Sequence, residues 1–270
     1  MRKEVFVAKN SELSARMQNF LAQHEIRCCD DELTKSQNLS EDLYLTVHDD
    51  QLAVVVPEIN RKHPFSLDLL TSELKYKRRS TFKRSDLLAK AVGLKGNRLK
   101  VLDATAGWLG DSFHLACLGA TVVAVERDER VYLLSADALD RAVLDSETSV
   151  VVEDVRLLNA NATELDSGMR SNIDVVFFDP MFPSRNKSAL PNKGMQIMQS
   201  LVGLQSESEL VSNLEVFMSW DVPRVVVKRR LHDRPLLSEP QMQYKGKSVR
   251  YDVYFSASID SYQLKSQTKQ

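Results

Sequence analysis

From residue 99 onward the chain repeats one pattern: a short apolar run, a turn, and then a stretch with helical periodicity. The runs fall at residues 99–103, 121–126, 155–159, 173–178 and 223–228, with a late one at 249–255. Short runs of this kind, rich in Val, read as strands buried on both faces, and the helical stretches between them supply the cover. The expected fold is therefore α/β, with a mostly parallel sheet that binds its ligand at the carboxyl ends of the strands. Residues 128–144 read as one of the covering helices, with Val131, Leu134 and Ala138 on one face.

The first of these units is the most informative. Val101-Leu102-Asp103 ends in an acid and turns through Ala104-Thr105-Ala106-Gly107 into a helix carrying Trp108, Leu109, Phe113, Leu115, Ala116 and Leu118. Small residues let a ligand approach the backbone, and the helix start offers unpaired N–H donors. An ordinary tight turn without a ligand would look the same.

Residues 1–70 lack this alternation. Val5-Phe6-Val7 reads as a strand. Residues 11–25 read as a helix with Ser11 as cap and Leu13, Met17, Phe20 and Leu21 on one face. Two apolar runs split by Asp49-Asp50-Gln51 read as a β-hairpin. Leu67, Leu69, Leu70 and Leu74 open a connecting helix, and residues 85–92 read as another, capped by Ser85 and stopped by Gly93. The expected organisation is a small α+β N-terminal domain with a basic connector at 1–84, the α/β domain at 85–260, and a flexible tail at 261–270.

The net charge of −1, from 36 basic and 37 acidic residues, gives no general sign of polyanion binding. Charge is nevertheless concentrated locally, because residues 75–84 hold six basic residues and no acid. With Tyr76 and Phe82 interleaved, that run is either a solvated helix face or an arm that contacts phosphates. Cys28, Cys29 and Cys117 have no metal or redox spacing and read as free thiols in a reducing, cytoplasmic setting. No membrane span and no metal cluster are expected.

The strand ends carry the chemistry. Asp103, Glu126 and Asp179 end strands, and Asn161 follows one. An acid at the end of the second strand of such a sheet suits ribose hydroxyls, because a carboxylate accepts from two vicinal O–H groups. Asn161 offers a donor and an acceptor to an adenine edge. An adenosine-containing cofactor follows, either NAD(P) or S-adenosylmethionine. The first turn lacks G-x-G-x-x-G, which leaves no pyrophosphate fingerprint.

Asp179-Pro180-Met181-Phe182-Pro183 decides for S-adenosylmethionine. It resembles the Asp/Asn-Pro-Pro-Tyr/Phe motif of methyltransferases that act on exocyclic base amines. Such an amine is a poor nucleophile, since its lone pair is delocalised into the ring. A carboxylate and the Pro180 carbonyl can accept its N–H groups, while Phe182 stacks on the extruded base.

Several motifs in order make the resemblance specific: Asp103-Ala104-Thr105-Ala106-Gly107, Glu126-Arg127, Asp179-Pro180-Met181-Phe182-Pro183, Lys187-Ser188-Ala189-Leu190, Ser200-Leu201-Val202-Gly203, Val225-Val226-Val227-Lys228-Arg229 and Arg250-Tyr251-Asp252-Val253-Tyr254. Together they resemble the RsmJ family of bacterial small-subunit (16S) ribosomal RNA methyltransferases. The resemblance implies a class I, Rossmann-like methyltransferase domain that uses S-adenosylmethionine. The substrate it implies is the N2 amine of a specific guanosine, on small-subunit RNA or a subunit particle. The implied cofactor residues are Gly110, Asp111, Glu126, Arg127, Asn161, Ala162 and Asp179, beside the Asp103 and Gly107 of the first unit. Asp179, Pro180 and Phe182 would be catalytic. The expected RNA contacts are Lys77, Arg78, Arg79, Lys83, Arg84, Arg185, Lys187, Lys228 and Arg229. Trp108-Leu109-Gly110-Asp111 stands where the family usually shows Leu-Gly-Arg-Asp. The competing classes are an RNA-binding assembly protein without turnover and a nicotinamide oxidoreductase.

Overall fold

A computed structural model of the chain describes residues 4–7, 13–30, 43–69, 86–182, 191–237 and 239–255. The basic run at 75–84, with Lys77, Arg78, Arg79, Lys83 and Arg84, lies outside the described residues, as do Arg185, Lys187 and the tail at 261–270.

The N-terminal part is a five-stranded sheet in the order β2-β1-β3-β4-β5. β1 (Glu4–Val7) pairs in parallel with β2 (Arg27–Asp30) and with β3 (Tyr44–His48). β3 turns back into β4 (Gln51–Val55) through Asp49 and Asp50, both at positive φ, which is the mirror-image turn that suits a hairpin twist. A short β5 (Phe65–Ser66) closes the edge beyond α2 (Pro57–Asn60).

α1 (Ala15–Gln23) crosses between β1 and β2. It begins later than the pattern suggested, because the Ser14 hydroxyl accepts from Met17 N at 3.1 Å; Ser11 lies outside the described residues. Leu67 and Leu69 are buried but not helical, so no helix opens there among the described residues. α3 (Leu87–Val92) is capped by Asp86 rather than Ser85, since the Asp86 carboxylate accepts from Ala89 N at 2.8 Å. It ends at Gly93 as expected.

The second sheet has seven strands in the order β11-β12-β10-β9-β6-β7-β8. In chain order these are β6 (Lys100–Asp103), β7 (Thr121–Glu126), β8 (Val155–Asn159), β9 (Val175–Phe178), β10 (Arg224–Arg230), β11 (Met242–Lys245) and β12 (Val249–Phe255). The five from β8 to β10 are parallel; β12 runs antiparallel to both of its neighbours. The helices α4 (Gly110–Cys117), α5 (Glu129–Val143), α6 (Ser149–Val152), α7 (Ser167–Arg170), α8 (Lys193–Val202) and α9 (Glu207–Met218) connect the strands. Strand order reverses beside β6, which has β7 on one side and β9 on the other. A crevice opens at such a switch point.

The central strands β6, β7, β9 and β10 are apolar on both faces, and successive residues feed opposite cores. Val101, Val122, Phe177 and Val226 pack on one side; Leu102, Val123, Phe178 and Val227 pack on the other. A third core joins the two sheets. Met17, Phe20, Leu52 and Val54 pack there against Val131 and Leu134 of α5 and Ile197 and Leu201 of α8. Asp137 of α5 lies fully buried at this junction. It accepts from Arg16 at 2.8 Å, from the Leu52 N–H at 3.1 Å and from Arg141 at 3.0 Å. Among the described residues no helix is long and apolar enough to cross a membrane.

Candidate active site

A cavity of about 360 Å³ opens over the carboxyl ends of β6, β7 and β9. Asp103, Gly107, Gly110, Asp111, Glu126, Arg127, Asn161, Ala162 and Asp179 all line it, with Pro180 and Lys228. One wall thus gathers strand ends that stand up to 76 residues apart in sequence, Asp103 and Asp179 being the outer pair.

The loop after β6 is held from several sides. The Ala106 N–H donates to Val125 O at 3.0 Å and Ser135 Oγ to Gly107 O at 2.9 Å. Trp108 Nε1 donates to Gly194 O at 3.2 Å, and the Trp108 ring lies 5.1 Å from that of Phe65 in the N-terminal sheet. Gly107 takes φ +50°, and a Cβ there would stand 3.3 Å from Met198 Cε on α8. Leu109 enters α4 at φ 59° with no side-chain cap.

Glu126 is buried and accepts from Gly107 N at 3.0 Å and from Asp128 N at 2.8 Å. Burial pushes its carboxyl above the ordinary range, against the pull of those two N–H groups. Each oxygen keeps a lone pair for a ligand hydroxyl. Asn161 is more committed than its sequence position suggested. Its Oδ1 accepts from Thr163 N and Oγ1, and its Nδ2 donates to Glu164 at 2.9 Å, so the amide caps a 3₁₀ turn (Ala162–Glu164). Arg127 pairs with Glu209 at 3.0 Å on the rim.

The floor is a cluster of three acids around one cation. Asp103 is buried, accepts from Ser112 Oγ at 2.6 Å and Thr105 N at 3.2 Å, and is pushed up to about 7, chiefly by burial, with Asp111 and Asp179 adding to the rise. Lys228 Nζ donates to Asp111 Oδ2 at 2.6 Å and to Asp179 Oδ2 at 2.7 Å. The Asp179 N–H donates to Thr105 Oγ1 at 2.8 Å, which ties the end of β9 to the loop after β6. Burial pushes the Asp179 carboxyl up to about 6, with Lys228 opposing and Asp111 adding to the rise. For Lys228 burial acts downward, but Asp179 and Asp111 outweigh it and hold the ammonium above its ordinary range.

Pro180 is buried, and Phe182 is half-buried at the end of the motif. The Arg229 guanidinium lies 4.3 Å from the Phe182 ring centre, and Arg230 donates to Phe182 O at 2.9 Å. Arg229 is only 3% exposed and donates to Arg234 O at 2.6 Å, so it braces this loop from within. Lys228 and Arg229, expected among the RNA contacts, therefore face the cavity floor and the back of Phe182. Sequence reasoning gave no part in this centre to Lys228, Thr105, Ser135 or the α8 methionines. Lys228 could have been found, since it lies on the fifth parallel strand at the same carboxyl edge that drew attention to Asp103 and Asp179.

Residues 29–256 match the family model described as "Putative SAM-dependent methyltransferase", SAM being S-adenosylmethionine. Ribosomal RNA small subunit methyltransferase J of Thioalkalivibrio sulfidiphilus is 38% identical over 218 residues, which is 78% of this chain and 83% of that protein. The protein of the same name from Saccharophagus degradans is 40% identical over 209 residues, 72% of this chain and 77% of its own length. The crystal structure of a SAM-dependent methyltransferase from Neisseria gonorrhoeae superposes with a TM-score of 0.72 at 28% identity, covering 96% of this chain and 98% of that one. By fold, by cavity and by these likenesses, the chain belongs to the ribosomal RNA small subunit methyltransferase J family of SAM-dependent methyltransferases.

Proposed function

We propose that this chain transfers a methyl group from S-adenosylmethionine to the exocyclic N2 amine of a specific guanosine in small-subunit ribosomal RNA, acting in the cytoplasm on the RNA or a subunit particle. The observation that carries the reading is Asp179-Pro180-Met181-Phe182 at the end of β9, opening on the cavity that Glu126 and Asp103 line. The donor set fits the cofactor. Glu126 has acceptor capacity for ribose hydroxyls, and a side chain at Gly107 would narrow the space before Met198. The acids on the floor suit a ligand bearing a sulfonium and an ammonium.

When bound, the cofactor supplies an electrophilic methyl on sulfur. The protein's part is to hold the amine and accept its N–H bonds. As the nitrogen gains positive charge its N–H groups become stronger donors, so an Asp179 carboxylate fixed by β9, Thr105 and Lys228 stabilises the transition state more than the ground state. Phe182, backed by Arg229, offers its ring to the extruded base. Support for the RNA substrate comes from the relatives, which are ribosomal RNA small subunit methyltransferases J.

The test is methyl transfer from labelled cofactor to small-subunit RNA and particles from a strain lacking the protein, with the modified nucleotide mapped. Labelled N2-methylguanosine at one position is expected. Asp179→Ala should lower single-turnover rates by about a hundred- to a thousandfold with RNA affinity retained. RNA binding with no methyl transfer would leave an assembly protein instead.

A further inference from the structure

We infer that Lys228 is a positioning residue of the methyl-transfer centre, tying Asp111 of α4 to Asp179 at the carboxyl end of β9 so that the Asp179 carboxylate stays aimed and charged. This rests on the part given to Asp179 above. It separates Lys228 from the phosphate contacts among which the sequence had suggested it.

The geometry carries the argument. Lys228 stands on β10, which pairs directly with β9, so a rigid ladder fixes its backbone beside the strand that ends at Asp179. Its ammonium makes two charge-assisted bonds, at 2.6 and 2.7 Å, to carboxylates from two different elements. Its side chain is 22% exposed and those of Asp111 and Asp179 are 23% and 32% exposed, so all three are largely withdrawn from water. A lysine that grips an RNA phosphate must swing its ammonium outward. Here that would strand two carboxylates beside a third, Asp103, with no other cation in contact on the floor among the described residues.

Among the described residues, the titratable groups around Asp179 come from four elements. β6 gives Asp103, α4 gives Asp111, β10 gives Lys228 and β12 gives the buried Tyr251 phenol. Behind them Asp86 pairs with His114 at 2.8 Å. Two of these neighbours are acids that disfavour a charged Asp179, and among the described residues Lys228 is the cation that touches it. Taking that cation away leaves burial and like charge to act unopposed, and Asp179 would hold its proton at higher pH. A protonated Asp179 is a poorer acceptor for its share of the amine N–H bonds, the other being left to the Pro180 carbonyl. Lys228 thus sets the lower pH limit of the reaction while touching neither the base nor the phosphates.

The test uses the full chain without cofactor, and separately with cofactor and RNA. Carboxyl-carbon NMR of the ¹³C-labelled protein follows Asp179, whose signal is assigned by its loss in Asp179→Asn. Lys228→Met should move the Asp179 midpoint up by about one pH unit or more. The acid limb of the single-turnover rate should move with it, and Lys228→Arg should return both close to wild type. The salt dependence of RNA binding should be unchanged in Lys228→Met. An unmoved Asp179 midpoint would overturn the inference, and so would a fall of about 0.7–0.9 in the log–log salt slope, the mark of a lost phosphate contact. Should Lys228→Met fail to fold, Lys228→Gln removes the charge while keeping a donor, and the same readings apply. If wild-type protein methylates no guanosine, the proposed function fails, yet the titration still decides what Lys228 does to Asp179.

Discussion

Asp103 is a carboxyl held near neutrality by its surroundings, and that has a measurable cost. Its folded value of about 7 lies far above the ordinary carboxylate range because burial, Asp111 and Asp179 all disfavour the charge. A group raised on folding stabilises the fold while protonated in both states, below about pH 4, and that contribution is lost as pH rises through about 7. Asp103→Asn carries no such charge and keeps polar atoms for Ser112 and Thr105. The melting temperature of the cofactor-free variant, relative to wild type, should therefore climb between pH 5 and pH 8. A difference that stays level with pH would show that Asp103 is not the titrating group. The acids at strand ends were legible in the sequence because a carboxylate closing an apolar run is conspicuous. The direction of Lys228 and Arg229 was not, since a basic pair after a run of valines reads as a contact for RNA phosphates until strand order sets it beside Asp179. Nor did the sequence reveal that Asn161 would spend its amide on a turn.

At the scale of elements, the loop after β6 depends on one backbone angle. Gly107 adopts φ +50°, where a Cβ costs roughly 1–2 kcal/mol whatever the space around it. The nearest atom to that Cβ is the tip of Met198, a flexible side chain that can move aside. Gly107→Ala should thus lower stability by about 1–2 kcal/mol in a urea titration. Adding Met198→Ala should restore little of it; full recovery would mean that crowding, rather than the backbone, sets the cost. Three strand boundaries, those of β7, β8 and β12, were readable to the residue, because polar or turn residues close each stretch on both sides. α8 and β11 were not. α8 mixes Gly, Gln and Met with few strong apolar positions, and its buried Ile197 and Leu201 find their partners in the distant N-terminal sheet. β11 is an edge strand whose residues are exposed or half-exposed, so it shows no apolar run.

Across the whole molecule, the two sheets are bound through α5, and Asp137 is the point where the bonds converge. Removing one member of a buried charged network strands the others, and here Arg16 and Arg141 would lose a fully buried acceptor. Arg16 keeps Asp140 at 3.0 Å, which puts the expected loss for Asp137→Ala at the lower end, about 3 kcal/mol. Chemical denaturation should report that loss as one cooperative transition, because the third core is common to both sheets. Two separated transitions would mean that the N-terminal sheet stands without α5.

That junction also dictates a schedule. Arg16 and Asp137 are 121 positions apart, so on the ribosome α1 and the hairpin emerge long before the helix that will cover them. At roughly 5–20 residues per second the wait is on the order of ten seconds. Throughout it Met17, Phe20 and Leu52 have no α5 to bury against. The N-terminal sheet is thus made well before the helix that completes its core, and while it waits its nascent chain is a client for whatever shields apolar surface during synthesis.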